Sequence, residues 1–166
     1  MKKYSNIHII LDGADGVGKT TVVNLLSEKL NIPIIKMKGM SRYFKKNPEE
    51  ASQIFNETVI QFKDFPFIQD RGWTSSIVYS IAYKRKLKDV MYLAGIIGEL
   101  NEKVFFLVRD EPFRKDVLVK NRKWKKLNTI FSEANRADNP FNIKVNIIQV
   151  GNKKPTEICQ EILKKL

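Results

Sequence analysis

The chain has 166 residues, 43% hydrophobic and 29% charged, which is ample for one domain with a sizeable core. No apolar run approaches the ~20 residues that cross a bilayer, residues 1–6 do not read as a signal peptide, and a single cysteine, Cys159, with a single histidine, His8, excludes a disulfide framework and argues against a zinc centre. A soluble, cytoplasmic chain with no membrane partner is expected, and its net charge of +12 favours polyanions, among which nucleotides, nucleic acid and acidic surfaces stay open.

Residues 7–11 are a continuous apolar run ending in Asp12-Gly13, the pattern of a buried parallel strand. Residues 20–30 carry Val22, Val23, Leu25, Leu26 and Leu30 at helical spacing, and 33–37 reads as a second short strand. A helix is predicted over 48–62, with Pro48 in its first turn and Glu49 and Glu50 behind it. Residues 65–70 give a third strand, 74–84 and 88–100 two helices, and 104–108 a fourth strand. Helical segments follow around 112–120 and 126–137, then a fifth strand over 143–150 and an amphipathic helix over 156–166 that holds Cys159 among its apolar positions.

No repeat or Pro/Gly/Ser-rich linker interrupts this order, so residues 1–166 are expected to form one domain. Alternating strands and helices predict an α/β fold in three layers, a five-stranded parallel sheet with helices on both faces. Ligands in such sheets sit at the carboxyl ends of the strands. His8 lies inside the first strand and is expected to be a satisfied core histidine.

Residues 13–20, Gly13-Ala14-Asp15-Gly16-Val17-Gly18-Lys19-Thr20, match the P-loop pattern G-x-x-x-x-G-K-[ST] at every fixed position. The glycines allow backbone angles closed to other residues and bring main-chain N–H groups onto phosphate oxygens. The helix beginning near Lys19 adds its positive dipole end. Gly13, Asp15, Gly16, Val17, Gly18, Lys19, Thr20 and Thr21 are thus the expected ATP-binding residues, with Lys19 on the β and γ phosphates and the Thr20 hydroxyl on Mg²⁺.

A second cluster, Gln69-Asp70-Arg71-Gly72, ends the third strand. If that strand neighbours the first, Asp70 reaches Thr20, where its carboxylate can hold Mg²⁺ or accept a hydroxyl proton. Arg71 then offers a planar fork to anionic oxygens of donor and acceptor. Phosphoryl transfer needs mostly positioning and charge neutralisation, so the expected catalytic residues are Lys19, Asp70, Arg71 and, from a basic lid, Arg122. That lid is placed around 114–126, where seven basic residues face one acid, Asp116; Lys120 and Arg114 are its other candidates. The guanine-reading N-K-x-D element of switch GTPases is absent, and a kinase is the class indicated.

The stretch from Leu11 to Thr21 resembles the opening of thymidylate kinases, an acid-Gly-x-Asp-Gly-x-Gly-Lys-Thr-Thr sequence. The run Asp70-Arg71-Gly72-Trp73-Thr74-Ser75-Ser76-Ile77-Val78-Tyr79 is similar to their Asp-Arg-aromatic-x-x-Ser-x-x-Ala-Tyr segment. The resemblance implies a nucleoside monophosphate kinase that passes the ATP γ-phosphate to its acceptor, most typically dTMP giving dTDP. It further implies that Asp15 bonds the acceptor sugar, that Arg71 and Arg42 hold phosphate, and that Ser76, Tyr79 and Phe55 line the acceptor pocket.

The sequence departs from that family in three places. Ile35-Lys36-Met37-Lys38-Gly39 stands where it has Arg-Glu-Pro-Gly, Val59 stands four residues after Phe55 where an arginine reads thymine, and Gly72 replaces the aromatic. A deoxynucleoside kinase and a polynucleotide 5′-hydroxyl kinase remain the competing readings. The first would want a carboxylate base after the second strand, where Lys36-Met37-Lys38 offers none; the second draws on the +12 charge, though nucleic acid is not the favoured partner. Homodimerisation is left open.

Overall fold

A computed structural model of the chain describes residues 7–36, 46–47, 50, 53–54, 57, 60–84, 102–113, 117, 123–136 and 144–166. Its strands are β1 (His8–Asp12), β2 (Ile34–Lys36), β3 (Phe67–Asp70), β4 (Glu102–Val108) and β5 (Asn146–Gln149). Its helices, in chain order, are α1 (Lys19–Leu30), α2 (Trp73–Tyr83), α3 (Trp124–Ser132) and α4 (Pro155–Leu163). The five strands form one parallel sheet in the order β2-β3-β1-β4-β5, with helices on both faces, as the alternation predicts. Among the described residues no helix is long and apolar enough to cross a membrane.

Both central strands are covered on both sides, which is why they read as unbroken apolar runs. Every residue of β1 is buried, as is β4 from Val104 to Val108. α1 turns Val22, Val23 and Leu26 into this core and packs with α4, whereas α2 packs with α3. Each such aliphatic side chain contributes on the order of 1.5–3 kcal/mol on burial.

The element ends differ from the sequence expectation for local chemical reasons. β3 begins at Phe67 rather than at 65, because Pro66 has no N–H to give the ladder and the Phe65 carbonyl accepts from His8 Nε2 at 3.1 Å. His8 also stacks on Phe67, with ring centroids 4.3 Å apart, so it is a core histidine as anticipated, but only half satisfied, since its buried Nδ1 has no partner among the described residues. α4 begins at Pro155, one residue early, because proline suits the first helical position and the Lys154 N–H donates to Glu157 Oε2 at 2.6 Å. β5 is shorter than expected, covering Asn146–Gln149. In the predicted helix 48–62, the described residues Glu50, Gln53, Ile54, Glu57, Ile60 and Gln61 are helical, and Phe62 already lies in the turn that follows. The predicted helix 88–100 lies outside the described residues, as do most of 112–120.

Candidate active site

β1 and β3 are neighbours, with Leu11 opposite Asp70, so the loop after β1 and the turn after β3 open at the same end of the sheet. Residues 13–18 wrap the start of α1. Gly13 takes φ 145, and a Cβ there would lie 2.3 Å from the Leu107 carbonyl oxygen, so close approach to β4 demands glycine. Gly18 caps α1 at φ 93, another left-handed position. Val17 and Ala14 are wholly buried, while Thr20 and Thr21 are exposed on the first turn of α1.

Lys19 is folded back into the loop. Only 6% of it is exposed, and its ammonium donates to the Ala14 carbonyl at 2.6 Å, inside the loop. Burial, with Arg71 nearby, lowers its pKa to about 7 against the attraction of Asp12, Asp15 and Asp70.

Thr20 Oγ1 donates to Asp70 Oδ2 at 2.9 Å, which brings together the hydroxyl and carboxylate expected to share a cation. Both are hard oxygen donors, the kind Mg²⁺ takes. No group of three or more His, Cys, Asp or Glu side chains able to hold a metal occurs among the described residues. The donor set therefore suits an ion that completes its shell with phosphate oxygens and water.

Arg71 is the hub of the site. Its backbone adopts φ 73, rare for a residue with a side chain, and is pinned there by its N–H donating to the Leu11 carbonyl at 3.1 Å. The guanidinium forms an ion pair with Asp15 through Nη2, while Nη1 donates to Gly13 O and Ser75 Oγ, both at 3.3 Å. It lies 5.6 Å from the Tyr79 ring centre. Burial works against its charge, but the carboxylates of Asp12, Asp15 and Asp70 act in the other direction, and the pKa is raised. Burial likewise pushes the Tyr79 phenol up to about 12, keeping it neutral. Ser76 is half-buried on the first turn of α2, the helix that also presents Tyr79.

Several contacts of this site were not anticipated. Asp12, wholly buried, accepts from the Gly13 N–H at 2.9 Å, from Thr74 Oγ1 at 2.7 Å and from Ser75 Oγ at 2.5 Å, and lies 3.8 Å from Arg71 Nη1. It thereby ties the phosphate loop to the start of α2. An acid ending an apolar strand was the one visible signal. The Trp124 indole N–H donates to the Asp15 carbonyl at 2.5 Å, fixing the loop from α3, and Phe113 meets the loop through its N–H on Gly16 O at 2.9 Å. Arg42, Phe55 and Arg122, with the other lid candidates Lys120 and Arg114, lie outside the described residues.

This is the α/β fold of the P-loop kinases, with its phosphate loop at the carboxyl edge of a 2-3-1-4-5 parallel sheet. Comparison with known proteins agrees. The ATPase family associated with various cellular activities (AAA) matches residues 9–70. No curated protein matches the chain in sequence. Among solved structures, the YorR protein from Bacillus subtilis, crystallised with phosphorylated GDP, superposes with a TM-score of 0.71 at 23% identity, over 95% of this chain and 94% of that one. Thymidylate kinase from Candida albicans gives 0.62 at 17% identity over 96% and 90%. Deoxyadenosine kinase from M. mycoides gives 0.62 at 14% identity over 95% and 97%.

Proposed function

We propose that the chain is an ATP-dependent nucleoside monophosphate kinase that moves the γ-phosphate of ATP to a deoxynucleoside monophosphate, with dTMP to dTDP the leading case. One observation carries this reading: Arg71 joins Asp15 of the phosphate loop while Asp70, one residue earlier, joins Thr20 of the same loop. Donor and acceptor groups thus meet within one hydrogen-bonded cluster.

In this reading the loop amides and Lys19 bind the β and γ phosphates, which take the ammonium from the Ala14 carbonyl. Thr20 and Asp70 would hold Mg²⁺, which when bound neutralises phosphate charge and orients its oxygens. Arg71 draws the acceptor phosphate towards the γ-phosphate, and Asp15 accepts a hydrogen bond from the acceptor sugar. Ser76, Tyr79, Phe55 and Arg42 complete the acceptor side, and Arg122 closes from the lid. Keeping water out of this cluster favours transfer to the acceptor over hydrolysis.

The similarity to a deoxyadenosine kinase keeps nucleosides in view as acceptors. A nucleoside kinase must deprotonate a hydroxyl, and β2 ends in Lys36, whose ammonium donates to Asn24 Oδ1 at 3.1 Å, rather than in a carboxylate. A coupled assay over nucleosides, all nucleoside monophosphates and a 5′-hydroxyl oligonucleotide decides between these acceptors. Turnover with monophosphates alone is the expected result.

A further inference from the structure

The two ends of the Arg71 guanidinium are held differently. Nη1 lies among three oxygens: the Gly13 carbonyl and Ser75 Oγ, each at 3.3 Å, and Asp12 Oδ1 at 3.8 Å. Nη2 pairs with Asp15, whose side chain is 46% exposed, whereas that of Asp12 is wholly buried. One end of the fork is therefore anchored inward, and the other meets an acid within reach of solvent.

Ser75 stands at the inner end, half-buried on the first turn of α2. Its hydroxyl has one proton, and a carboxylate can only accept, so the 2.5 Å contact with Asp12 Oδ1 fixes that proton on the Asp12 side. The lone pairs of Oγ are left to Arg71 Nη1. A buried carboxylate thus reaches the guanidinium through one hydroxyl, in the sense in which linked hydrogen bonds strengthen one another. Ser75 is itself held in place, because its N–H donates to the Gly72 carbonyl at 3.1 Å. Thr74 provides the contrast: its hydroxyl donates to the same carboxylate through the other oxygen, Oδ2, at 2.7 Å.

We propose that Ser75 is a positioning residue for phosphate transfer, whose hydroxyl pins Arg71 Nη1 to buried Asp12 while Nη2 exchanges Asp15 for the acceptor phosphate. The inference rests on the nucleoside monophosphate reading above. A planar fork that bridges anionic oxygens works best when its plane is set in advance. The same exchange at Nη2 turns the Asp15 carboxylate over to the acceptor sugar. Without Ser75 the fork keeps its charge and loses its fixed plane.

The test is a double-mutant cycle, Ser75→Ala and Arg71→Lys alone and together, read in steady-state kinetics and in calorimetric binding of dTMP and ATP. Ser75→Ala should lower kcat/KM for the acceptor at least about thirtyfold and its affinity at least about fivefold, with ATP affinity within about threefold. Added to Arg71→Lys, which has no fork to hold, it should cost less than about threefold more. Ser75→Thr restores the hydroxyl and should recover kcat/KM to within about fivefold of wild type. Thr74→Val removes the other hydroxyl from Asp12 and should cost at least about tenfold less in kcat/KM than Ser75→Ala. Should Ser75→Ala not fold, Ser75→Cys takes its place in the cycle, since a thiol accepts only weakly. Losses that multiply in the double variant, or a Ser75→Ala as active as wild type, overturn the proposal. Equal loss in Thr74→Val would make the effect one of folding alone and overturn it as well. Wild type that binds a monophosphate without transfer would defeat the kinase reading, while the cycle still reads out in affinity; wild type that binds none overturns both.

Discussion

Arg71 and Asp15, 56 positions apart in sequence, are joined in an ion pair at the carboxyl edge of the sheet. The pair links a residue expected to clamp phosphate with one expected to hold the acceptor sugar. Arg71→Lys keeps the charge but loses the fork that reaches Asp15, Gly13 O and Ser75 Oγ together. Transfer should fall at least about 100-fold, or ~2.7 kcal/mol, in steady-state kcat/KM for the acceptor. Asp15→Ala should likewise depress acceptor turnover while ATP affinity stays within about threefold, because the loop backbone at Asp15 remains held by Trp124.

Lys19→Ala should leave the fold intact and reduce kcat by at least about 100-fold, since one such charge contact in a transition state is worth ~3 kcal/mol. The depressed Lys19 pKa of about 7 adds a pH signature. Above that value the free protein holds a neutral amine, and phosphate restores the proton. Calorimetry of ATP binding in buffers of differing ionisation enthalpy should thus show proton uptake that is larger at pH 8 than at pH 6, and that vanishes in Lys19→Met. Equal uptake at both pH values would contradict the assignment.

Asp12→Ala should cost about 3 kcal/mol of stability in denaturant unfolding, the order expected when a buried charged partner is removed. The hydroxyls of Thr74 and Ser75 and the Gly13 N–H would all lose their acceptor. A loss below about 1 kcal/mol would show that the link between loop and α2 is weak.

Glu102 gives a second pH dependence. Burial pushes its carboxyl up to about 8, opposed by the Trp73 indole N–H at 2.8 Å. Its folded pKa lies above the unfolded value of 4.5, so the folded state binds the extra proton between these limits. This contribution is present in full below about 4.5 and is lost as pH rises to about 8. Glu102→Gln, which cannot ionise, should therefore show a smaller fall in melting temperature than wild type between pH 5.5 and 8. Parallel melting profiles would contradict the shift.

The sheet was legible because its strands are short and apolar and its P-loop fixes the first βα junction. Adjacency of β1 and β3, on which the role of Asp70 depended, was conditional until Leu11 was found opposite Asp70. What sequence could not show was contact between distant residues: Asp12 with Thr74 and Ser75, Trp124 with Asp15, and Phe113 with Gly16. Periodicity records which face of an element is apolar, not which loop an indole will reach. Gln69 was equally hidden, since a glutamine ending a strand ordinarily reads as a polar side chain near solvent, whereas this one is wholly buried.

Transfer of phosphate from ATP to a nucleoside monophosphate is tested by kcat/KM for each deoxynucleoside monophosphate, with product diphosphate resolved chromatographically. dTDP is expected from dTMP, with at least one other deoxynucleoside monophosphate within about a hundredfold, ~2.7 kcal/mol, of dTMP. Phosphorylation of nucleosides or 5′-hydroxyl ends with no diphosphate formed from any monophosphate would contradict it.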